Sequence, residues 1–399
     1  MDERPPASRP WQGGRDDRIV GGIEVRVLFI GAHVGKGGGL ALQTFQLFEL
    51  LRSRIDVQLL CLDAPGLHRA LADRPGVMVA GPLSFPGGIG LLRRALRSLH
   101  NDFDVFQTLD PYFSISASYL AHVSPRIIHL GTDPRAEIGW RYGFPAGLAA
   151  RAIYPALLSG AVLVANSHAL ADRFPHRTPH VIPNGIDLRK FERLPNQADA
   201  ARSLGLPDGR PLLAFVGKVI PVKRVEWVLE VVRALPEAAA VVVGDYAEEH
   251  YGDAYYRHLL ATYADVRDRV VFSGEVVWDT VPRYLAAADV FVFPSKFEGQ
   301  PNAVLEAMAA GLPVVASDIP PHRELINPGK TGFLAKDSAS MASQVSELIR
   351  DDRLRRQIGA AGRAYVRERF STDACASAYL ALYESILRDG PDRPGASRG

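Results

Sequence analysis

The segment Val290-Phe-Val-Phe-Pro-Ser-Lys-Phe-Glu298-Gly-Gln-Pro301-Asn-Ala-Val-Leu-Glu306-Ala-Met-Ala-Ala-Gly311-Leu-Pro313 reads as a buried strand, a loop and a helix, in that order. Val290–Phe293 is a continuous apolar run, the pattern of a strand covered on both faces. Pro301 suits a first helical turn, where a missing N–H costs nothing, Gly311 suits the position just past a helix end, and Pro313 blocks continuation. The spacing predicts a helix of about ten residues beginning near Gln300 or Pro301. Its amino end would carry N–H groups and a partial positive charge at the carboxyl edge of a strand, which makes an anion site suited to phosphate. Glu306 lies about five residues in, ~7–8 Å along the axis. Val304, Leu305 and Met308 share the apolar face, so Glu306 is expected to point away from it. A carboxylate gains nothing from a phosphate, but it accepts hydrogen bonds from hydroxyls such as those of a ribose. Glu298 sits before the helix, placed for a second polyol. Each glutamate alone reads equally well as a solvated or dipole-favoured side chain; the two together favour a site.

The same strand-then-loop grammar recurs elsewhere. Val25–Gly31 runs into a glycine-rich loop and a helical pattern at Leu42, Phe45, Leu47, Phe48 and Leu51. Leu212–Gly217 runs into a loop ending at Arg224 and a helical pattern through Trp227, Leu229 and Val232. Further apolar strands at 57–62, 126–129, 162–165, 240–244 and 314–317 alternate with helical segments, which indicates parallel sheets covered on both faces. The fold class is therefore α/β, with two Rossmann-like domains expected to face a central cleft. Residues 1–22 and 389–399 read as polar, disordered tails. Residues 23–200 read as an amino-terminal domain and 201–370 as a carboxyl-terminal one, with the linker inside Phe191–Arg210, which holds Pro195, Pro207 and Gly209.

The loop Gly31-Ala-His-Val-Gly-Lys-Gly-Gly-Gly39 fails both common nucleotide fingerprints. A P-loop needs Ser or Thr after Gly35-Lys36 and a glycine at position 30, and finds Gly37 and Ile30. The dinucleotide pattern needs glycine at 40 or at 33, and finds Leu40 or His33. A nicotinamide dehydrogenase is thereby disfavoured. What remains is a loop whose backbone can approach a ligand closely. The loop after Gly217 adds Lys218, Lys223 and Arg224, in a chain where lysine is scarce among the 46 basic residues. Two cations and a helix amino terminus are what a departing diphosphate needs, and charge-assisted hydrogen bonds are each worth about 1.5–3 kcal/mol.

At these residues the chain resembles the retaining glycosyltransferases of family 4, which have the two-domain GT-B architecture. The resemblance runs from about Val25 to Leu387 and is strongest from Leu212 to Leu334. Its most specific element is Glu298-x7-Glu306 within Glu-Gly-x-Pro-Asn-x-x-x-Glu-Ala-Met-Ala-x-Gly. Supporting matches are Ile182-Pro-Asn-Gly-Ile-Asp187, the Gly217 to Lys223 loop, Val243-Gly-Asp245, and the stretch from Val270 to Asp289. The resemblance implies that Glu306 holds the donor ribose and Glu298 the sugar hydroxyls. It implies that Lys218 and Lys223 neutralise the diphosphate, and that the backbone around Gly217, Gly299, Asn302, Ala303 and Val304 faces the donor. His129 would contact the transferred sugar, and Gly38 and Gly39 match the family's amino-terminal glycine loop. Lysine at 218 replaces a more usual arginine, and Tyr246 replaces a glycine common after Gly-Asp. A final helix over 371–388 would return to the amino-terminal domain. The implied reaction moves a sugar from a UDP- or GDP-sugar to a hydroxyl of a glycan, glycolipid or small molecule, with retention. It uses no cofactor, and the absence of a His/Cys cluster predicts no metal.

Composition sets the outer limits. With 47% hydrophobic and 23% charged residues the 399-residue chain is an ordinary globular protein, and a net charge of +2 is too small for a nucleic-acid coat. Two cysteines exclude a disulfide scaffold and fit a reducing compartment, so a cytoplasmic location is expected. No apolar run approaches a membrane span, and residues 1–22 contain no signal-like apolar stretch. Gly90–Leu99 is a short basic amphipathic helix, with Arg93, Arg94 and Arg97 opposing Leu91, Leu92, Leu96 and Leu99. It reads either as a solvated helix face or as a peripheral contact with an anionic membrane. The competing functions are a nucleotide-sugar epimerase of the same architecture and a nucleotide-sugar binding protein without turnover.

Overall fold

The computed structural model describes residues 19–20, 23–31, 39–63, 75–82, 86–110, 112–207, 209–246 and 253–389. Strands are β1 (Ile19–Val20), β2 (Ile23–Glu24), β3 (Arg26–Gly31), β4 (Asp56–Asp63), β5 (Val77–Pro82), β6 (Val105–Thr108), β7 (Arg126–Leu130), β8 (Ala161–Ala165), β9 (His180–Val181), β10 (Leu212–Val216), β11 (Ala239–Val243), β12 (Val270–Gly274), β13 (Val290–Phe293), β14 (Val314–Ser317) and β15 (Phe333–Ala335). Helices are α1 (Gly39–Arg52), α2 (Gly87–Leu99), α3 (Phe113–Ala121), α4 (Pro134–Tyr142), α5 (Phe144–Leu157), α6 (His168–Ala171), α7 (Gln197–Ser203), α8 (Val225–Ala234), α9 (Ala254–Thr262), α10 (Val281–Ala287), α11 (Asn302–Ala310), α12 (Pro320–Leu325), α13 (Ser338–Arg350), α14 (Asp352–Arg369) and α15 (Thr372–Asp389). The chain divides into two compact units, one of Met1–Asn184 with Asp373–Gly399, the other of Gly185–Thr372.

In the first unit a parallel seven-stranded sheet runs β5-β4-β3-β6-β7-β8-β9. Successive side chains alternate between its faces. Val27, Phe29 and Ile127 bury against α1 and α15, while Leu28, Ile30, Ile128 and Leu130 bury against α2, α3 and α5. Phe48 and Leu51 of α1 are fully buried, and each such side chain contributes on the order of 1.5–3 kcal/mol. The last helix, α15, returns to this unit and buries Tyr379 and Tyr383 against the first strand face.

The second unit holds a parallel six-stranded sheet in the order β12-β11-β10-β13-β14-β15. Every residue of β10, β11, β13 and β14 is buried, which explains their unbroken apolar runs. Helix α11 ends as its sequence requires: Gly311 takes φ +85°, and its N–H bonds to the Ala307 and Met308 carbonyls.

Three boundaries differ from the sequence reading. The break between units falls at Asn184/Gly185, ahead of the 191–210 stretch taken as the linker. Ile186 N–H donates to Phe370 O at 2.7 Å, and Phe191, Ala200 and Ala201 are buried in the second core, so this stretch is packed despite its polar composition. Within 1–22, Ile19–Val20 pairs antiparallel with Ile23–Glu24. At the other end α15 runs on to Asp389. The rest of both stretches read as tails lies outside the described residues.

Candidate functional site

A doubly wound sheet binds ligands beyond the carboxyl ends of its strands, where the strand order reverses. In the second unit that point lies between β10 and β13, paired in parallel through Leu213–Val290 and Ala214–Phe291. The loops leaving these two strands, 217–224 and 294–301, therefore emerge side by side. They are joined by Lys296 N–H donating to Val222 O at 2.8 Å and by Ser295 Oγ–H donating to the same carbonyl at 3.4 Å. Lys223 Nζ lies 2.5 Å from Glu298 Oε1, both side chains mostly buried, and 5.3 Å from the centre of the Phe293 ring. Lys218 follows Gly217 in the first of these loops, and its carbonyl accepts the Ile220 N–H at 3.1 Å. Gly244 closes the neighbouring strand end: a Cβ there would meet Gly217 O at 2.2 Å, so Val243-Gly-Asp245 tolerates no side chain at its centre.

Helix α11 starts at Asn302, with Pro301 as its cap and no side-chain capping bond, one residue past the latest expected start. The N–H groups of its first turn, Asn302, Ala303 and Val304, have no upstream helical carbonyls except through Pro301 O, which Val304 N–H reaches at 3.0 Å. Gly299 and Gln300 are buried just ahead of it.

Glu306 is buried: the run Val304–Ala309 is covered throughout, on a helix that packs against β13, β14, α10, α14 and the turn Leu188–Phe191. Oε2 of Glu306 is enclosed with no hydrogen-bond partner. Burial pushes its carboxyl up to about 8, opposed only by the more distant Lys190 ammonium. An unpaired polar atom so placed costs about 1–3 kcal/mol, which a ligand hydroxyl would recover.

His322, on α12, was not singled out from the sequence. It is fully buried. Its Nδ1 lies 2.7 Å from Ser317 O, which can only accept, so Nδ1 carries the proton and Nε2 presents a lone pair. Nε2 is enclosed without a partner. The ring sits edge-on to Phe293 at 5.7 Å, and burial lowers its pKa to about 4, against the opposing pull of Glu298. A strand end followed by a helix start was the available signal, but the chain has 11 histidines and nothing in the spacing marks this one.

In the first unit His129 ends up near the carboxyl end of β7, buried on the face that α15 covers. Its Nδ1 is 2.6 Å from Tyr379 Oη, and burial lowers its pKa to about 4. Tyr379 fixes the imidazole from 250 residues away, a partner that no local pattern reveals. Gly39 opens α1; Gly38 lies outside the described residues. Arg94 and Arg97 are exposed on α2 while Leu92 and Leu96 are buried; Arg93 is half-buried and donates to Leu120 O at 3.1 Å. Among the described residues no group of three His, Cys, Asp or Glu side chains is arranged to hold a metal ion.

Comparison with known proteins agrees in both halves. A family model described as Glycosyltransferase Family 4 matches residues 37–190, and one described as Glycosyl transferases group 1 matches residues 210–351. The lipopolysaccharide core biosynthesis mannosyltransferase LpsB of Rhizobium meliloti is 31% identical over 216 residues, covering 52% of this chain and 61% of that protein. A GDP-mannose-dependent alpha-mannosyltransferase of Mycolicibacterium smegmatis is 33% identical over 231 residues, covering 56% of this chain and 57% of that protein. The chain thus spans less than two thirds of the length of either relative. Anabaena Alr3699/HepE, solved with UDP and glucose, superposes with a TM-score of 0.77 at 23% identity over 90% of this chain and all of the other, so the two share a fold.

Proposed function

We propose, on the premise that this chain belongs to glycosyltransferase family 4, that it transfers a sugar from a nucleotide-diphosphate donor to a hydroxyl acceptor with retention of configuration. The observation that carries this reading is the Lys223–Glu298 pair at the β10–β13 reversal, beside the start of α11. It sets a cation for a diphosphate next to a carboxylate for sugar hydroxyls, which is the charge pattern at the junction of sugar and diphosphate. As the bond from the anomeric carbon to the phosphate oxygen breaks, positive charge grows on the sugar and negative charge on the leaving group. Lys218, Lys223 and the α11 N–H groups would stabilise that leaving group, the usual source of the largest catalytic gain. Glu298 would hold the sugar, Glu306 the ribose, and the neutral His129 would hydrogen-bond the transferred sugar. The acceptor hydroxyl would approach the face the diphosphate leaves, and its proton would go to the departing phosphate. No metal is required in this scheme, because fixed cations meet the charge.

Relatives named for GDP-mannose and for lipopolysaccharide core biosynthesis, and a shared fold with a protein solved with UDP and glucose, support a nucleotide-sugar donor and a glycan or glycolipid acceptor. A cytoplasmic site of action fits such donors. The test is incubation with a panel of UDP- and GDP-sugars, followed by proton NMR. Slow release of the sugar or its transfer, with the donor's anomeric configuration kept in the first-formed product, is expected. Interconversion of the donor without release would identify an epimerase. Binding without turnover of any donor, with or without acceptor glycolipids, would remove the enzymatic reading.

A further inference from the structure

His322 is fully enclosed in the second unit, and its Nε2 meets no partner. A leucine of similar size would leave no polar side-chain atom unpaired there, so the imidazole is poorly explained by packing. What it adds is a donor. Burial keeps the ring neutral, with its pKa lowered to about 4. Its one proton sits on Nδ1, which lies 2.7 Å from Ser317 O and 3.3 Å from Ser317 Oγ. The Ser317 hydroxyl gives its own proton to Ser295 O at 2.5 Å, so both Ser317 oxygens face the ring as acceptors.

Ser317 closes β14, and Ser295 stands two residues past β13. Their bond therefore fastens the root of the loop that carries Glu298 to the neighbouring strand, and both serines are buried. One residue on, Lys296 N–H reaches Val222 O at 2.8 Å, so the loop that carries Lys223 is tied to the same root. The ring makes a second contact. It stands edge-on to Phe293 at 5.7 Å, and Lys223 Nζ lies 5.3 Å from the centre of that phenyl ring. Both routes end on the Lys223–Glu298 pair, whose charges bear on the imidazole in opposite senses. We propose that His322 is a positioning residue for this pair: its Nδ1–H clamps Ser317, and Ser317 clamps the Ser295 carbonyl, so that loop 294–301 is held where Glu298 meets Lys223. The clamp rests on the geometry alone; its effect on sugar transfer rests on the glycosyltransferase reading.

The test pairs chemical labelling with kinetics on the full chain. His322→Leu removes the donor, Ser317→Ala removes the link to Ser295, and His322→Asn keeps an N–H near the Nδ1 position. Acetylation of Lys223 by acetic anhydride, read by peptide mass spectrometry, needs no substrate. Paired and mostly buried, Lys223 should label slowly in the wild type and several-fold faster in His322→Leu and Ser317→Ala. His322→Asn should label near the wild-type rate. With a nucleotide-diphosphate sugar, His322→Leu should lower kcat by about tenfold to a hundredfold and change KM by less than about threefold, as lost positioning requires. His322→Asn should recover most of that kcat. Because the residue acts through Lys223, His322→Leu in a Lys223→Ala background should cost less than about twofold further. His322→Leu should melt close to the wild type, since it also removes the unpaired Nε2; if it melts far lower, Ser317→Ala carries the test. Unchanged Lys223 labelling in both His322→Leu and Ser317→Ala would overturn the proposal. So would a full kcat loss from His322→Leu on top of Lys223→Ala. Raised labelling in a protein that turns over no donor would uphold the clamp and refute only the transferase reading.

Discussion

Replacing Glu306 by Gln should abolish a pH dependence of donor binding that the buried carboxyl imposes. With a pKa of about 8 the group is protonated at pH 7. A ribose whose hydroxyls donate to the carboxylate stabilises the ionised form, so binding must expel the proton. Affinity should therefore rise with pH by up to about tenfold per unit, or about 1.4 kcal/mol, and level off above pH 8. The same group sets a stability trend. In the unfolded chain a glutamate ionises near pH ~4.3, whereas the folded one holds its proton to about 8. Through this group the folded state thus binds more protons in this window, so its own contribution to stability falls as pH rises from roughly 4.5 to 8, opposed below pH ~6.5 by the buried histidines. Titration calorimetry with a nucleotide-diphosphate sugar at pH 6.5, 7.25 and 8, in two buffers of different ionisation enthalpy, measures both affinity and proton release. The wild type should release close to one proton at the lowest pH, and Glu306→Gln none. A pH-independent affinity in the wild type, or an unchanged slope in Glu306→Gln, would refute the assignment of Glu306 to the ribose.

Lys223→Ala should lower donor turnover by ~10²–10³, measured as kcat with saturating donor, because a fixed cation at the leaving group acts mainly in the transition state. The same change leaves Glu298 without its partner, so the melting temperature should also drop. His129 and His322 are both held neutral by burial, with pKa values lowered to about 4. Their contribution to stability is complete above pH ~6.5 and is lost as pH falls towards 4, since the unfolded chain takes up protons first. Thermal melts at pH 7, 6, 5 and 4.5 should show this decline, and a His322→Gln variant should show less of it. Exhaustive treatment with a chelator should leave donor turnover unchanged; loss restored by a divalent cation would contradict the metal-free scheme.

What the sequence made legible follows from what local pattern encodes. Unbroken apolar runs such as Ala239–Val243 mark strands buried on both faces, and Pro301 with Gly311 brackets a helix to within a residue. The loops carrying Lys223 and Glu298 could be named from strand ends, but their 2.5 Å approach depends on β10 and β13 being neighbours across 75 residues. The burial of Glu306 was not legible, because periodicity describes one face of α11 and says nothing of the elements that enclose the other. The 191–210 stretch resembles a linker in composition, yet a few buried side chains, Phe191 foremost, bind it into the second unit. Tyr379 beside His129, and the unpaired Nε2 of His322, are products of tertiary packing alone.

The claim on which the functional account rests is that a donor's diphosphate lies against Lys218, Lys223 and the first turn of α11. A crystal structure of the protein with a non-hydrolysable nucleotide-diphosphate sugar measures this directly. The account predicts phosphate oxygens within hydrogen-bond reach of Lys223 Nζ and the Asn302–Val304 N–H groups, with ribose hydroxyls on Glu306 Oε2. A nucleotide bound elsewhere on the second unit, with Glu306 Oε2 still enclosed and unpaired, would contradict it.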